Sequence, residues 1–314
     1  MPDAGRSHDA GVRASPDGSA AAPGRPRIRL PRSKLFVPAN RPERMLKAMA
    51  LDADALSLDL EDAVPAAAKA SARAALATFL RENRPAQQVW VRVNGRDSGA
   101  LVADVLALAD LDVDVVNVPK AESARDVHLV ESLIEHLGAI GRCAGAFAIV
   151  PTIETAAGLR CAHEIASASP RVVALQLGAG DLRKSTGIAP SVDALRTVRV
   201  MLSLAAAEAG VHALDSAYTD IASPAGFRAD ATDARTLGFR GKSCIHPSQI
   251  ADANRIFAPT ADEIDEARAV VEAFDEALSR GIGAIQVRGK LVDGPIVDEA
   301  RRVLALADEG KRNR

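Results

Sequence analysis

From Ser33 onward, short apolar segments rich in β-branched residues recur along the chain, and each is followed by a longer stretch in which apolar residues return at helical spacing. The first kind of segment reads as a strand, the second as an amphipathic helix. The strand candidates are Lys34–Val37, Ala55–Leu60, Val89–Asn94, Val113–Val118, Ala146–Ile153, Val172–Leu177, His212–Leu214 and Gly241–Ile245. Continuous apolar runs flanked by helices predict parallel strands buried on both faces. Eight such units in about 250 residues predict an α/β fold, a (β/α)8 TIM barrel. A doubly wound open sheet is the alternative, but the turn after the first strand, Val37-Pro38-Ala39-Asn40, lacks the G-x-G-x-x-G pattern that such a sheet carries there.

Thr260-Ala261-Asp262-Glu263 is a capping box leading into Ile264, Ala267, Val271, Phe274 and Leu278 and stopping at Gly281. This helix is expected to close the eighth unit, which places the barrel domain at residues 31–281. Residues 282–314, with Gly283–Val292 and then Pro295–Ala307, read as an appended segment ending in a helix, a lid over one end of the barrel. Residues 1–30 hold almost no large apolar side chain before Ile28 and predict a disordered, solvated tail carrying Arg25, Arg27 and Arg29.

Composition narrows the function classes. The 39 Lys+Arg balance 41 Asp+Glu, without the basic excess that nucleic-acid binding demands, and 3% aromatic residues leave no base-stacking platform. No stretch approaches the roughly 20 apolar residues that span a bilayer and no apolar leader precedes the first strand, so a cytoplasmic protein with no membrane partner is expected. Cys143, Cys161 and Cys244 are odd in number and widely spaced, which argues against a disulfide framework or a zinc site. Cys244 beside His246 is the one arrangement that suggests a thiol nucleophile.

In a parallel barrel the chemistry sits where strands end, and here those ends are acidic: Asp59-Leu60-Glu61-Asp62, Thr152-Ile153-Glu154 and Gly178-Ala179-Gly180-Asp181, beside Arg92-Val93-Asn94 and Pro119-Lys120. Converging carboxylates raise one another's pKa unless a cation neutralises them. Mg²⁺, which takes one or two carboxylates and fills its octahedron with water and substrate, answers that need, with Glu154 and Asp181 on adjacent strands as ligands. The competing role for either is capping the next helix. Arg92 is a planar fork suited to a carboxylate or keto-acid oxygen, or to an ion pair with Asp59 or Glu61. Lys120 stands where an imine-forming lysine would, but acids around it would raise its pKa and favour a metal mechanism. Asn40 and Glu43 suggest a capped helix start at which Arg41 and Arg44 could attract phosphate.

The runs Arg32-Ser33-Lys34-Leu35-Phe36-Val37-Pro38-Ala39-Asn40-Arg41-Pro42-Glu43, Leu58-Asp59-Leu60-Glu61-Asp62-Ala63-Val64, Val91-Arg92-Val93-Asn94, Ile153-Glu154-Thr155 and Gly241-Lys242-Ser243-Cys244-Ile245-His246-Pro247 resemble the citrate lyase beta subunit-like proteins of the HpcH/HpaI aldolase superfamily. The resemblance implies a TIM barrel that binds Mg²⁺ and makes or breaks a carbon–carbon bond in a 3-hydroxyacyl thioester such as malyl-CoA, citramalyl-CoA or a citryl thioester, giving an acyl-CoA and a 2-oxo acid. It makes Glu154 and Asp181 the metal ligands and Arg92 the keto-acid arginine, with Asp59, Glu61, Asp62 and Lys120 in support. Asp293, in Gly289-Lys290-Leu291-Val292-Asp293-Gly294-Pro295, becomes the acid/base that reaches a neighbouring subunit's site, which implies a homo-oligomer, trimer or hexamer. Arg41, Arg44 and Lys34 are then expected near coenzyme A phosphates, or near the arm of an acyl-carrier protein. The alternatives are an Mg²⁺-dependent hydroxyacyl-CoA thioesterase and a class II pyruvate aldolase that uses no thioester.

Overall fold

Eight parallel strands pair each with the next, and the last returns to the first: β1 Ser33–Pro38, β2 Ala55–Asp59, β3 Gln88–Arg92, β4 Val115–Val118, β5 Ala148–Ile153, β6 Ala174–Leu177, β7 His212–Asp215 and β8 Phe239–Cys244. The protein is seen in a computed structural model that describes Pro26 and residues 28–141, 147–189 and 191–311. The closed barrel is the (β/α)8 architecture that the apolar runs predict, with each expected strand in place. Outward-facing Leu35, Val37, Leu56, Leu58, Val91 and Leu175 are buried against the helices. Each such side chain contributes about 1.5–3 kcal/mol on burial. No helix among the described residues is long and apolar enough to cross a membrane.

Alternate residues of each strand face the bore, and the strand register sorts them into layers contributed by alternate strands. The lower bore is apolar, built from Ala55, Trp90, Val115, Ala148, Val150, Ala174 and Leu214, and Ile28 and Leu30 pack against it. Those two residues are therefore part of the fold, which shortens the expected tail at its C-terminal end; the rest of that expectation lies outside the described residues. Higher up, the register aligns Ser57, Asn117, Gln176 and Ser243, one from each even-numbered strand, as a wholly polar buried layer.

The eighth unit departs from expectation. A short helix, Ile250–Ile256, follows β8 and packs on β1 and β8, and the chain divides at Pro259 rather than at residue 282. The long helix Ala261–Ser279 does carry its capping box, with Glu263 N–H donating to Thr260 Oγ1 and Thr260 N–H to the Glu263 carboxylate. Its apolar face, however, packs within a separate C-terminal unit: Ala267, Val270 and Phe274 meet Val292, Val297 and Ala300 from the hairpin β9–β10 (Ile285–Val287, Lys290–Val292) and the helix Gly294–Lys311. The hairpin turns through Arg288 and Gly289, both at positive φ (48° and 82°), as a two-residue turn with right-handed strand twist requires.

Cys244 is fully buried and burial pushes its thiol up to about 12, so it is a packing residue and not a nucleophile. Cys143 lies outside the described residues.

Between β7, β8 and the helices Val192–Glu208 and Pro224–Thr236 lies a buried charge network. Arg199, fully buried, donates to Asp215 through Nε (3.0 Å) and Nη2 (2.8 Å), to Asp230 (2.7 Å) and to Asp233 (3.3 Å). Lys242 pairs with Asp215 and Asp230 and donates to the Ser216 carbonyl at 2.8 Å, which pins the end of β7. Removing one partner of such a network leaves buried charge uncompensated. Arg199→Met is thus expected to lower stability by about 3–5 kcal/mol in urea unfolding; a loss below about 1 kcal/mol would show that the network is not what holds these helices to the barrel.

Candidate active site

The mouth is organised by Arg92 at the end of β3. Its Nε donates to Asp59 Oδ1 at 2.8 Å and its Nη2 to Asp59 Oδ2 at 2.6 Å, a bidentate pair across adjacent strands. Burial by itself would lift the Asp59 carboxyl, but Arg92 and the backbone N–H groups of Glu61 and Ala63 hold it below its ordinary value. Arg92 Nη1 faces Glu61 Oε2 at 2.9 Å, and Asp62 stands 3.7 Å away, more than half exposed. Burial opposes the charge on Arg92, and Asp59, Glu61 and Asp62 overcome it and keep the guanidinium firmly protonated. The ion pair with Asp59 expected from the sequence is present, and only part of the donor fork remains for a substrate carboxylate.

Lys120 follows β4 in a left-handed conformation, φ 51°, uncommon for a residue with a side chain. That turn points its backbone N–H at Glu154 Oε1, 2.7 Å away, while its Nζ donates to Glu61 Oε1. Partial burial would lower the amine, but Glu61 leads a set of acids that raises it above its ordinary value, so it is not the neutral amine an imine mechanism needs.

Glu154 is buried at 3% exposure, and its carboxyl is pushed up to about 8 by burial and by the charges of Glu61 and Asp181, against the Lys120 N–H and Arg92. Thr155, not Glu154, caps the next helix by accepting from Gly158 N–H at 3.0 Å, so Glu154 is free of the role that competed with metal binding. Asp181 lies in the first turn of the helix Ala179–Thr186, whose N-cap is Gly178. Gly178 matters because a Cβ there would come within 2.3 Å of Glu154 Oε2. Among the described residues no group of three His, Cys, Asp or Glu is arranged to hold a metal. A divalent ion that keeps several waters needs only one or two protein carboxylates, so the crowded pair Glu154 and Asp181 fits Mg²⁺. Beside this rim is a cavity of about 510 Å³ lined in part by Glu61, Asp62, Asn94, Arg96, Lys120 and Thr155.

Two expectations, the Asn40 cap and the placement of Lys34, are corrected. Arg41, not Asn40, occupies the N-cap of the helix Pro42–Ala48, and no side chain caps it, because Pro42 at the first position sets the helix entry. Asn40 Oδ1 is instead buried near the β1 end without a hydrogen-bond partner among the described residues. Arg41 and Arg44 are exposed there, but Lys34 does not join them: it is 1% exposed inside the bore, with Nζ 4.8 Å from the Phe36 centroid and 5.0 Å from that of Trp90, out of reach of a phosphate. Asp293 belongs to the C-terminal unit, where its carbonyl accepts from Val297 N–H at the start of the last helix. His246 hydrogen-bonds Ser248 Oγ at 2.8 Å, a local structural role.

Sequence reasoning missed the scaffold behind the rim. Asp104, fully buried, accepts from Asn94 N–H (2.7 Å) and Nδ2 (2.6 Å) and pairs with Arg73 (2.9 Å). Lys69 Nζ holds the Leu60 and Glu61 carbonyls. Asp104 interrupting the apolar stretch Leu101–Leu108 was the available signal.

Fold and mouth together define a parallel β/α-barrel with an acidic rim organised by an arginine, and the comparisons agree. Residues 32–247 match the family model described as HpcH/HpaI aldolase/citrate lyase, and the chain belongs to that family. It is 38% identical over 287 residues to citrate lyase subunit beta of Escherichia coli (strain K12), covering 90% of this chain and 95% of the relative. It is 36% identical over 280 residues to a (3S)-malyl-CoA thioesterase of Cereibacter sphaeroides, covering 88% and 94%. The crystal structure of CitE from Mycobacterium tuberculosis in complex with magnesium, acetoacetate and coenzyme A superposes with a TM-score of 0.72 at 35% identity, covering 88% of this chain and 97% of that one.

Three outcomes follow from the geometry. Glu154 must lose its proton to ligate a cation, so Mg²⁺ affinity should rise about tenfold per pH unit below pH 8 with one proton released per ion, as read by calorimetry in buffers of different ionisation enthalpy. A pH-independent affinity contradicts the assignment. Because the folded pKa of Glu154 is raised from 4.5 to about 8, stability falls as pH rises between those two values and the loss is complete above 8, so Glu154→Gln should raise the Tm of the metal-free protein at pH 8.5 more than at pH 5. Gly178→Ala should displace the carboxylate and weaken Mg²⁺ binding at least tenfold in a folded protein; unchanged affinity would mean that Glu154 Oε2 is not a ligand.

Proposed function

We propose that this protein is an Mg²⁺-dependent carbon–carbon lyase acting on a 3-hydroxyacyl thioester of the malyl-CoA, citramalyl-CoA or citryl type, releasing an acyl thioester and a 2-oxo acid. The observation that carries this reading is one buried carboxylate, Glu154, crowded by Asp181 and set beside an arginine already fixed by Asp59. Glu154 and Asp181 hold the ion. When bound, Mg²⁺ supplies Lewis acidity toward the oxygen that becomes the 2-oxo group.

This chain's own residues do the rest. Arg92, locked by Asp59 so that its plane cannot turn, presents its remaining N–H groups to the carboxylate of the 2-oxo acid half. Lys120 and Glu61 close the rim and keep its charge balanced. Arg41 and Arg44, exposed after β1, take the phosphate end of the thioester carrier. In cleavage, the C3 hydroxyl gives up its proton to solvent and becomes the 2-oxo carbonyl as the C2–C3 bond breaks, the electron pair of that bond passes into the thioester as an enolate, and the Asp293 carboxylic acid protonates C2; in condensation the Asp293 carboxylate removes the C2 proton and the alkoxide formed at C3 takes a proton from solvent. Delivery of Asp293 by a neighbouring copy in a homo-oligomer is part of the proposal, because an enolate survives only where water is excluded.

A thioesterase is the second reading, favoured by the relative named (3S)-malyl-CoA thioesterase. Mass-resolved turnover of malyl-CoA and citramalyl-CoA, with and without Mg²⁺, separates the two. Acyl-CoA plus a 2-oxo acid is the expected result; free CoA with intact hydroxy acid would establish the thioesterase, and indifference to CoA esters alongside pyruvate aldol activity would establish a class II aldolase. Asp293→Ala should reduce turnover by at least about a thousandfold while Mg²⁺ binding stays intact, and loss of metal binding in that variant would remove Asp293 from the acid/base role.

A further inference from the structure

Below the candidate site, the bore holds a cation for which the proposed chemistry has no use. Lys34 shares its layer with Trp90, Val150 and Leu214, all buried and apolar, and is itself 1% exposed. It meets no carboxylate at ion-pair distance among the described residues; its hydrogen bond runs upward from Nζ to Asn117 Oδ1, at a long 3.5 Å. Barrel bores are ordinarily filled by branched aliphatic side chains, and a buried ammonium costs several kcal/mol unless something offsets it.

Three features offset it. The ammonium lies over the rings of Phe36 and Trp90, at 4.8 and 5.0 Å, within cation–π range. The layer directly above is entirely polar, and in it Ser57 Oγ and Gln176 Oε1 are buried with no hydrogen-bond partner among the described residues, on residues that are 0% and 2% exposed. An ammonium with unused protons beneath two unused acceptors is a setting in which an internal water completes every group, whereas an apolar cavity would stay dry. Asp59 and Glu154 add favourable long-range charge, while Arg92 opposes it.

The connection to the site runs through Phe36. Arg92 Cζ lies 4.9 Å from the same ring that carries Lys34, so the two cations stand no more than about 10 Å apart, one Debye length even in water and less screened in the bore. We propose that Lys34 is a positioning charge of the site: a water-solvated ammonium held in the bore beneath Arg92 that strengthens binding of an anion at the mouth without touching it. This rests on the reading of the mouth as a 2-oxo acid site and adds a selective element to it, a preference for anionic over neutral carbonyl substrates. Burial pulls the Lys34 amine down to about 7, so the charge is present in mildly acid solution and absent in mildly basic solution. The charged groups facing it are Arg92 from β3, Asp59 from β2 and Glu154 from β5; Asn117, Phe36 and Trp90 are neutral.

The test is calorimetric binding of pyruvate at saturating Mg²⁺, which keeps Glu154 ionised, for the full chain and for Lys34→Met, with circular dichroism and Tm as the folding check. Methionine suits a layer of Trp90, Val150 and Leu214. Wild type should bind pyruvate roughly tenfold more tightly at pH 6 than at pH 8 and take up protons on binding near pH 7.5, whereas Lys34→Met should bind weakly at both pH values with no proton uptake. A crystal structure should place a water on Ser57 Oγ and Gln176 Oε1. Equal pyruvate affinity and equal pH dependence in both proteins overturn the proposal while leaving the 2-oxo acid reading intact; failure of wild type to bind pyruvate at either pH overturns both.

Discussion

The Asp59–Arg92 pair is the interaction on which the mouth depends. Five carboxylates, those of Asp59, Glu61, Asp62, Glu154 and Asp181, gather at the strand ends against two cations, Arg92 and Lys120. Arg92 resolves most of the conflict by pairing with Asp59 in a fixed plane and by touching Glu61 and Asp62 along its remaining edge. What it leaves unresolved is Glu154, buried, close to Asp181 and compensated chiefly by a single backbone N–H. A carboxylate in that condition takes up either a proton or a cation, and on the proposed reading the cation is Mg²⁺.

The barrel grades from apolar to charged along its axis, with Lys34 set as a cation into the apolar part. Trp90, Val150 and Leu214 fill the lower bore, with Ile28 and Leu30 packed against that cluster; Ser57, Asn117, Gln176 and Ser243 form the polar layer above; charged side chains occupy the rim. Outside the strands, the Arg199–Asp215–Lys242 network anchors the end of β7 from the helix side, while Gln176 Nε2 donates to the Leu214 and Asp215 carbonyls from within the bore. The strand end that lifts Ser216 toward the mouth is thus fixed from both faces.

Much of this was legible in the chain. Parallel strands buried on both faces need unbroken apolar runs, and those runs marked all eight strands and the acidic residues at their ends. What was not legible depended on tertiary choice. The pattern of Ala261–Ser279 announces an amphipathic helix with a capping box, but not which surface its apolar face covers, and it covers the C-terminal hairpin and final helix. Helix-terminus reasoning and the family resemblance placed Lys34 with Arg41 and Arg44, whereas strand alternation turns it into the bore. Asn40 has the chemistry of an N-cap, yet Pro42 at the first helical position moves the cap to Arg41. The hydrogen bonds of Asp104 to Asn94 and of Lys69 to the Leu60 and Glu61 carbonyls close single strand–helix units across irregular turns, and the Arg73–Asp104 pair joins two neighbouring units, none of which a strand or helix period encodes.

The central claim is that one divalent cation is held at this mouth by Glu154 and Asp181. Anomalous diffraction from crystals grown with Mn²⁺ in place of Mg²⁺ tests it without any assumption about substrate. The account predicts a single strong peak at about 2.0–2.2 Å from a carboxylate oxygen of each of these two residues, with the remaining positions filled by water. A peak seated between Glu61 and Asp62, or no peak at a concentration that saturates binding in solution, would contradict it.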